Sequence, residues 1–521
     1  MILKNVFIII ILLSLNILPQ YQLSEYRMSD EIVSQNKTNS QNPLSNSITD
    51  IISNGDTIWL GTSRGVSLSL DGGENWTNFY GQENFGTDNI SAIAYNKTTK
   101  TFWCATAKST EVTGGQTLPE GTGLKYTTNL GATWNSIPQP VDHPDSGTIK
   151  YGNNTLDALP VTVTIQNLTY DIAFTQNTIW ITSFAGGLRK STDNGQTWKR
   201  VVLPPDNLNS IQPSDVLDFC LSPSDGNFCG EGNLNHRAFS VVSTENNTLY
   251  VGTANGINKS TDGGISWTKF NHQNQQLPIS GNFITALGYN ATNQTVWGST
   301  WKAEDQAEFY GISSSSDGGQ TWNTFLRDEK AHNFGFKNYD VMTATDNGVF
   351  RSFDFGATWM LPNSIVDDQS SASLHTNIFY SADSYNNVVW LGSGDGLVKL
   401  NETPGRIWDG SWKIFFASQP LTTNNETYCY PNPFSPRQEE LKIKYSTGGV
   451  EKNVTIRIFD FSFNYVRTII QNVARNRDTE GAPEFWNGKD DNGNIVPNGV
   501  YFYRVEIGDN DAFYGKVLVM Q

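Results

Sequence analysis

STDGGISW, residues 260–267, is one of six near-copies of a single octapeptide: SLDGGENW at 69, TTNLGATW at 127, STDNGQTW at 191, STDGGISW at 260, SSDGGQTW at 315 and SFDFGATW at 352. Each copy follows an apolar, β-branched run and opens another, as VGTANGINKS leads into Ser260 and Trp267 continues as TKF. Such a phrase reads as a hairpin turn repeated at the period of a repeat architecture. The residue types suit that role. Asp accepts backbone N–H bonds inside a turn, Gly supplies positive φ, Ser or Thr adds a local hydroxyl bond, and Trp brings a large apolar body. The third position is Asp71, Asn129, Asp193, Asp262, Asp317 and Asp354 in turn, and it is read as structural. The copy at Thr127, with Asn129 in place of Asp, is expected to form the weakest turn.

Working outward from each turn gives a unit of four strands whose second strand has the form IWLGT (58), FWCAT (102), IWITS (179), LYVGT (249), VWGST (296), DVMTA (340) or VWLGS (389). Six turns thus become seven units; in the last, Trp412 is expected to take the packing role. Four-stranded units at this spacing predict an all-β chain, a seven-bladed β-propeller over residues 47–417. The octapeptide closely resembles the Asp-box, or BNR repeat, of sialidases, sortilin-type receptors, xyloglucanases and photosystem assembly propellers. That resemblance implies a structural turn at a blade rim.

In a four-stranded meander the turns alternate between the two faces of the disc. The insertions at 108–122 and 301–310 join second to third strands, and those at 136–167 and 201–239 join blades. All four are therefore expected on the face opposite the octapeptides, and long loops gathered on a rigid scaffold are where binding resides. On that face Trp301, Glu304, Asp305, Glu308, Phe309 and Tyr310 combine aromatics and carboxylates, the types that stack on sugars or do acid–base work. They are the candidate binding residues; no catalytic residue is assigned.

Past Phe416 the repeat stops. Residues 418–427 read as a linker and 428–521 as a small Ig-like β-sandwich, in which Asp490 to Asn494 form a tight turn. Pro431-Asn432-Pro433-Phe434, Trp486-Asn487-Gly488, Pro497 to Tyr503 and Lys516 to Val519 resemble the C-terminal Ig-like sorting domains of bacterial type nine secretion cargo. They also resemble the Ig domain of flagellar hook-capping proteins. The resemblance covers residues 428–521 and implies recognition by secretion machinery, then release or surface attachment. At the other end, Lys4 and the apolar run Val6–Leu18 read as a signal peptide over 1–20, followed by a polar leader at 21–46 that is either mobile or helps to close the ring, with no stable membrane span after cleavage.

Residues 21–521 carry 34 basic and 51 acidic side chains, and residues 21–425 carry 23 and 38, leaving −15 on the repeat region. Such a surface repels phosphate backbones, so nucleic acid is not the expected partner. Cys220 and Cys229 are close enough for a local disulfide, whereas Cys104 and Cys429 stand isolated. With five His and no C-x-x-C pair, neither metal nor cofactor is expected. Sialidase chemistry would need an Arg-Ile-Pro segment, which is missing here. Arg189 and Arg351 share one phase of a third strand and read as blade-surface residues. The expected function is an exported binding module, secreted or at the cell surface, for a polysaccharide or protein. The alternative is a sialidase-like or xyloglucanase-like glycosidase.

Overall fold

A computed structural model describes residues 39–521 apart from 304–306, 369–371, 375, 418–420, 422, 438–439, 480 and 510–511. The chain is all-β, a seven-bladed propeller followed by a sandwich. Blade 1 is built from Ile48–Asn54, Thr57–Thr62, Gly65–Ser69 and Trp76–Asn78. Blade 2 uses Asn89–Asn96, Thr101–Glu111, Thr117–Thr127 and Asn135–Ile137. Blade 3 uses Asp171–Thr175, Thr178–Ser183, Gly187–Ser191 and Lys199–Arg200, and blade 4 Ala238–Ser243, Leu249–Thr253, Gly256–Ser260 and Trp267–Phe270. Blade 5 comprises Phe283–Asn290, Thr295–Trp301, Gly311–Ser315 and Asn323–Phe325. Blade 6 comprises Ala331–Lys337, Asp340–Thr345 and Gly348–Ser352, and blade 7 Phe379–Tyr385, Val388–Ser393, Leu397–Glu402 and Gly410–Phe415. Every pairing within a blade is antiparallel. The first strands line the channel and pack blade to blade around the ring, blade 7 against blade 1 included.

Each octapeptide closes the same hydrogen-bond circuit. In blade 4, Ser260 Oγ donates to Asp262 Oδ1 (2.8 Å), the Gly264 N–H donates back to Ser260 Oγ (2.9 Å), and the Ser266 N–H donates to Asp262 Oδ1 (2.9 Å). Asn129 reproduces the circuit with Thr127, Gly131 and Thr133 at 2.9–3.0 Å, so the expected weakening is not seen in its geometry. Only the charge on the acceptor is lost. These bonds hold the Asp193 and Asp317 carboxyls down to about 2.

The turns also join the blades. The fifth residue of each is a Gly at positive φ, pressed against the preceding blade so closely that a Cβ would fall 2.2–2.6 Å from a side-chain atom. The neighbours are Trp390 for Gly73, Phe79 for Gly131, Ile137 for Gly195, Trp180 for Gly264, Phe270 for Gly319 and Phe325 for Gly356. At three junctions a lysine adds a second link. Lys190, Lys259 and Lys399 lie over Trp180, Tyr250 and Trp390 of their own blades and donate to Gly263, Gly318 and Gly72 of the next. The pair Gly73–Trp390 and the bond from Lys399 close the ring between blades 7 and 1, helped by Ser53, whose N–H and hydroxyl donate to Asp383 (2.6 and 2.9 Å).

Blade 7 has no octapeptide, and a buried ion network joins it to blade 6 instead. Arg351 donates to Asp340 (2.6 Å) and to Glu402 (2.6 Å), and Lys337 binds the other Glu402 oxygen. Trp408 covers the Arg351 guanidinium (5.3 Å) and stacks on Trp412, which is partly buried against the core shared by the two blades. Arg351 and Arg189 are each 2% exposed and paired, so the reading of both as surface residues is corrected.

Flanking segments and insertions add strands to the blades. Asn39–Ser40, assigned to the leader, pair with Trp76 and Thr77 as a fifth strand on blade 1, and Asn46 accepts from the Ala417 N–H (2.6 Å). Residues 1–38, with the signal peptide and most of the leader, lie outside the described residues. The insertions at 136–167 and 201–239 leave the expected face but fold down the outer rim. There Tyr151 reaches the blade 4 turn (hydroxyl to Ile265 O, 2.7 Å), and Ser210–Ile211 pair with Trp267 and Thr268 as a fifth strand. Ile149, Leu156, Leu208, Leu217 and Leu221 extend the core of blades 3 and 4 outward. Cys220 and Cys229 are bridged, with Cα atoms 5.4 Å apart.

In the sandwich, Tyr428–Tyr430, Leu441–Lys444 and Glu484–Trp486 form one sheet, and Tyr465–Arg475, Lys452–Phe459, Gly499–Ile507 and Phe513–Val519 the other. Alternate residues Ile456, Ile458, Tyr503 and Val505 bury against Leu441, Ile443 and Trp486. Asp490 accepts from Asn492 and Asn494 in a tight turn. Lys442 meets Asp395 of blade 7 (3.0 Å), and Phe416 meets Phe485 (5.2 Å). No helix among the described residues is long and apolar enough to cross a membrane.

Gly264→Ala combines left-handed strain with a clash on Trp180 and is expected to cost about 2–4 kcal/mol. Glu402→Ala, which leaves Arg351 and Lys337 short of an acceptor, is expected to cost about 3–5 kcal/mol. Urea unfolding monitored by Trp fluorescence measures both; a change below about 0.5 kcal/mol in either refutes its junction's role.

Candidate functional site

The Gly72 N–H donates to Asp56 O (2.9 Å), which puts the first-to-second-strand turn on the same face as the octapeptide. Each first strand therefore begins at the opposite face. Six of them carry a bulge there, one residue before Asp50, Ala92, Ser240, Ala286, Asn333 and Ser381. A bulge re-aims one side chain. The bulged residues Thr49, Ser91, Phe239, Thr285, His332 and Tyr380, with Tyr170 in blade 3, all line a central cavity of about 330 Å³. Its aromatic groups continue across the face: Phe239 meets Tyr170 (5.4 Å) and Phe283 (4.7 Å), and His332 meets Tyr380 (5.5 Å) and Trp301 (6.2 Å). His332 Nε2 pairs with Asp346 (2.7 Å), a bond that lowers the Asp346 carboxyl below its ordinary value.

Three acids form the polar part of the channel wall. Asp50 accepts from the Ile51 N–H (2.9 Å) and from Asn333 of blade 6 (3.2 Å). Asp171 accepts from the Val241 N–H of blade 4 (2.8 Å), and Asp383 from Ser53 of blade 1. Two of them thus satisfy N–H groups on the inner edge of the next blade. Burial pushes Asp50 up to about 8, with the charges of Asp171 and Asp383 adding to the rise; burial also pushes Asp171 to about 7 and Asp383 to about 6. Nothing in the sequence singled out these residues, because an Asp in an alternating strand reads as a solvent-facing position.

The sequence-selected residues are placed differently from one another. Glu304 and Asp305 lie outside the described residues. Trp301 ends the second strand of blade 5 at 2% exposure, its Nε1 donating to Ala331 O (3.3 Å). Glu308 is buried and accepts from the backbone N–H groups of Asn282 (3.3 Å) and Ala303 (3.1 Å), which makes it the anchor of its own loop. Phe309 and Tyr310 are half-buried; the Arg327 guanidinium covers Phe309 (4.0 Å), and Lys330 lies 5.3 Å from both Trp301 and Tyr310. Among the described residues of this set, Trp301 and Glu308 are packed within the face rather than presented from a free loop.

No family model matches the chain. Two curated sequences, both named xyloglucanase Xgh74A and both from Acetivibrio thermocellus, are 24% identical over 286 and 267 residues. These matches cover 52% and 49% of this chain but 27% and 25% of the relatives, so the chain spans about a quarter of the length of the curated sequences it matches. Similar solved structures include PorZ, described as a bacterial surface component of the type-IX secretion system of Porphyromonas gingivalis (12% identity, TM-score 0.42, 90% of this chain and 64% of that one). Another is a GH74 xyloglucanase from Xanthomonas campestris (13% identity, TM-score 0.46, 77% and 58%).

The raised carboxyls set a sign for pH dependence. Asp50 binds its proton more tightly folded (about 8) than at its ordinary value of 3.8, so its contribution is full below pH 4 and is lost as pH rises toward 8. Asp50→Asn is expected to keep the melting temperature about 3–6 °C higher than wild type at pH 8.5 while differing little at pH 4.5. Calorimetry at the two pH values measures it, and equal shifts at both would refute the assignment.

Proposed function

We propose that the chain is an exported propeller that acts as a binding module, taking a glycan at the channel mouth opposite the octapeptides. The observation that carries this reading is the mouth itself: a cavity of about 330 Å³ with Tyr170, Phe239, His332 and Tyr380 on its wall and hydroxyl, amide and carboxyl groups between them. Aromatic faces stack on sugar C–H surfaces, and neighbouring polar groups fix hydroxyls. Trp301, Phe309 and Tyr310 extend the aromatic surface. The name of the two curated relatives, xyloglucanase, supports a polysaccharide over a protein as the ligand.

Binding is favoured over hydrolysis by the state of Glu308. A general acid or base needs a carboxyl free to exchange a proton with substrate, and Glu308 is held by the N–H of Ala303 in its own loop and by that of Asn282 ahead of the first strand of blade 5. A glycan array on the secreted protein, followed by calorimetry on the best hit, is expected to give binding that Tyr380→Ala weakens about tenfold or more. A hydrolase screen on the same glycans is expected to show no turnover. Turnover abolished by Glu308→Gln would overturn this reading in favour of a glycosidase.

Delivery is assigned to residues 428–521. Lys4 and the apolar run Val6–Leu18 support export, and the Pro431–Phe434, Trp486–Gly488 and Lys516–Val519 motifs support recognition by type nine secretion machinery, with a secreted or cell-surface destination. Deleting residues 428–521 is expected to leave the propeller inside the cell envelope, measured by immunoblotting of medium and surface fractions; normal export of the truncation refutes it.

A further inference from the structure

A second cavity, about 470 Å³, lies on the outer rim of blade 3, away from the channel. One wall is the outermost strand of that blade, Lys199–Arg200, and the other is the insertion hairpin Thr148–Tyr151 and Asn154–Asp157. Lys150, Lys190, Lys199 and Arg200 line it, with Asp142 as the acid among them. This is a cationic groove on a repeat region whose net charge is −15.

The excess of positive charge continues beneath the surface. Asp142 pairs with Arg189 (2.7 Å) and stands 3.6 Å from Arg200, so one carboxylate serves two guanidinium groups. Arg189 is 2% exposed, and its Nε and Nη2 are buried with no hydrogen-bond partner. Lys190 is lowered by burial and by the Lys199 charge beside it, and Arg200 is lowered to about 10 by burial, with the Arg189 charge adding to that. Asp262 is engaged in its octapeptide circuit and Asp215 with the Gln212 N–H (2.8 Å), and Asp157 is exposed on the far strand of the hairpin, opposite Thr148. An anion in the groove would relieve this crowding.

The backbone defines the shape of that anion. Blades 1 and 4 carry fifth strands of two residues each on their outer edges, Asn39–Ser40 and Ser210–Ile211. In blade 3 the sheet ends at Lys199–Arg200, and the groove occupies the position of a fifth strand. The Val201 N–H turns inward to Leu188 O (2.9 Å), so the alternation of an antiparallel edge turns the N–H and C=O of Arg200 outward. We propose that this groove binds an extended acidic peptide, which adds to the outer edge of blade 3 as its fifth strand. Main-chain bonds to Arg200 give the register, and acidic side chains meet the exposed Lys150 and Lys199, while the Arg200 guanidinium is held by Leu159 O (2.6 Å) and Leu221 O (3.2 Å).

Fluorescence anisotropy with the full chain and a labelled peptide of four Glu-Val repeats tests this. The expected result is binding that falls tenfold or more in Lys150→Glu/Lys199→Glu, two exposed lysines, with unchanged circular dichroism, and that Tyr380→Ala at the channel mouth leaves unaltered. A peptide of four Glu-Pro repeats, with the same charge and no N–H at alternate positions, is expected to bind at least tenfold more weakly. Equal binding of the two peptides, or indifference to the lysine pair, overturns the proposal. Lysine-dependent binding of oligogalacturonate without binding of the Glu-Val peptide also overturns it, in favour of an anionic saccharide.

Discussion

The ring depends on a glycine of one blade resting on an aromatic or aliphatic side chain of the blade before it. Six octapeptides place that glycine at positive φ, and none of the six could carry a Cβ without striking the neighbour. The hydroxyl and carboxylate of the same octapeptide hold the glycine there, because its N–H donates to the Ser or Thr oxygen that also binds the Asp or Asn. One local circuit therefore shapes a hairpin and sets the distance between two sheets. Where the octapeptide is absent, between blades 6 and 7, charge replaces shape: Glu402 collects Arg351 and Lys337 in a buried cluster capped by Trp408. A buried ion network needs every member in place, whereas a glycine contact needs only an empty space. The octapeptide junctions are thus the less demanding solution, and the chain uses them six times.

This explains what could be read from sequence. The octapeptides and the second-strand pattern have fixed local chemistry, so turns, blade number and faces follow from residue types alone. The direction of an insertion does not. Residues 136–167 leave the face that the meander predicts, but Ile149 and Leu156 are drawn to the apolar wedge outside blades 3 and 4, and the hairpin follows them down the rim. Trp301 and Glu308 show the same limit. A loop with aromatic and acidic residues reads as exposed, yet Trp301 is held at a strand end by Ala331 O and Glu308 by two loop N–H groups. The bulges that line the channel mouth left no composition signal, since Thr, Ser, Tyr, Phe and His all occupy the same place.

The channel acids have an architectural cause. A first strand at the centre of a propeller presents an inner edge whose N–H groups need acceptors, and the next blade is twisted too far to supply a ladder. Asp171 and Asp383 reach across to Val241 and Ser53 and satisfy two of these groups. The same position puts carboxyls in a narrow, desolvated space, which raises them into the neutral range. A channel wall that is partly protonated near neutrality can donate hydrogen bonds as well as accept them.

The outer rim obeys a different constraint. Blade edges at the circumference are wet and could remain open, yet blades 1 and 4 are capped by two-residue strands drawn from flanking sequence. Blade 3 lies beside the longest insertions and has segments near enough to cap it, but the hairpin 148–157 stands off and leaves a groove. Lysines and arginines concentrate there, although the repeat region as a whole is acidic. On a disc of net charge −15, a cationic sector makes the surrounding field uneven, so the groove would orient an acidic partner as well as hold it. A neutral glycan at the channel mouth, as proposed above, would respond little to this field and would find its site by shape and hydrogen bonding. The two proposed sites would thereby take partners of different charge.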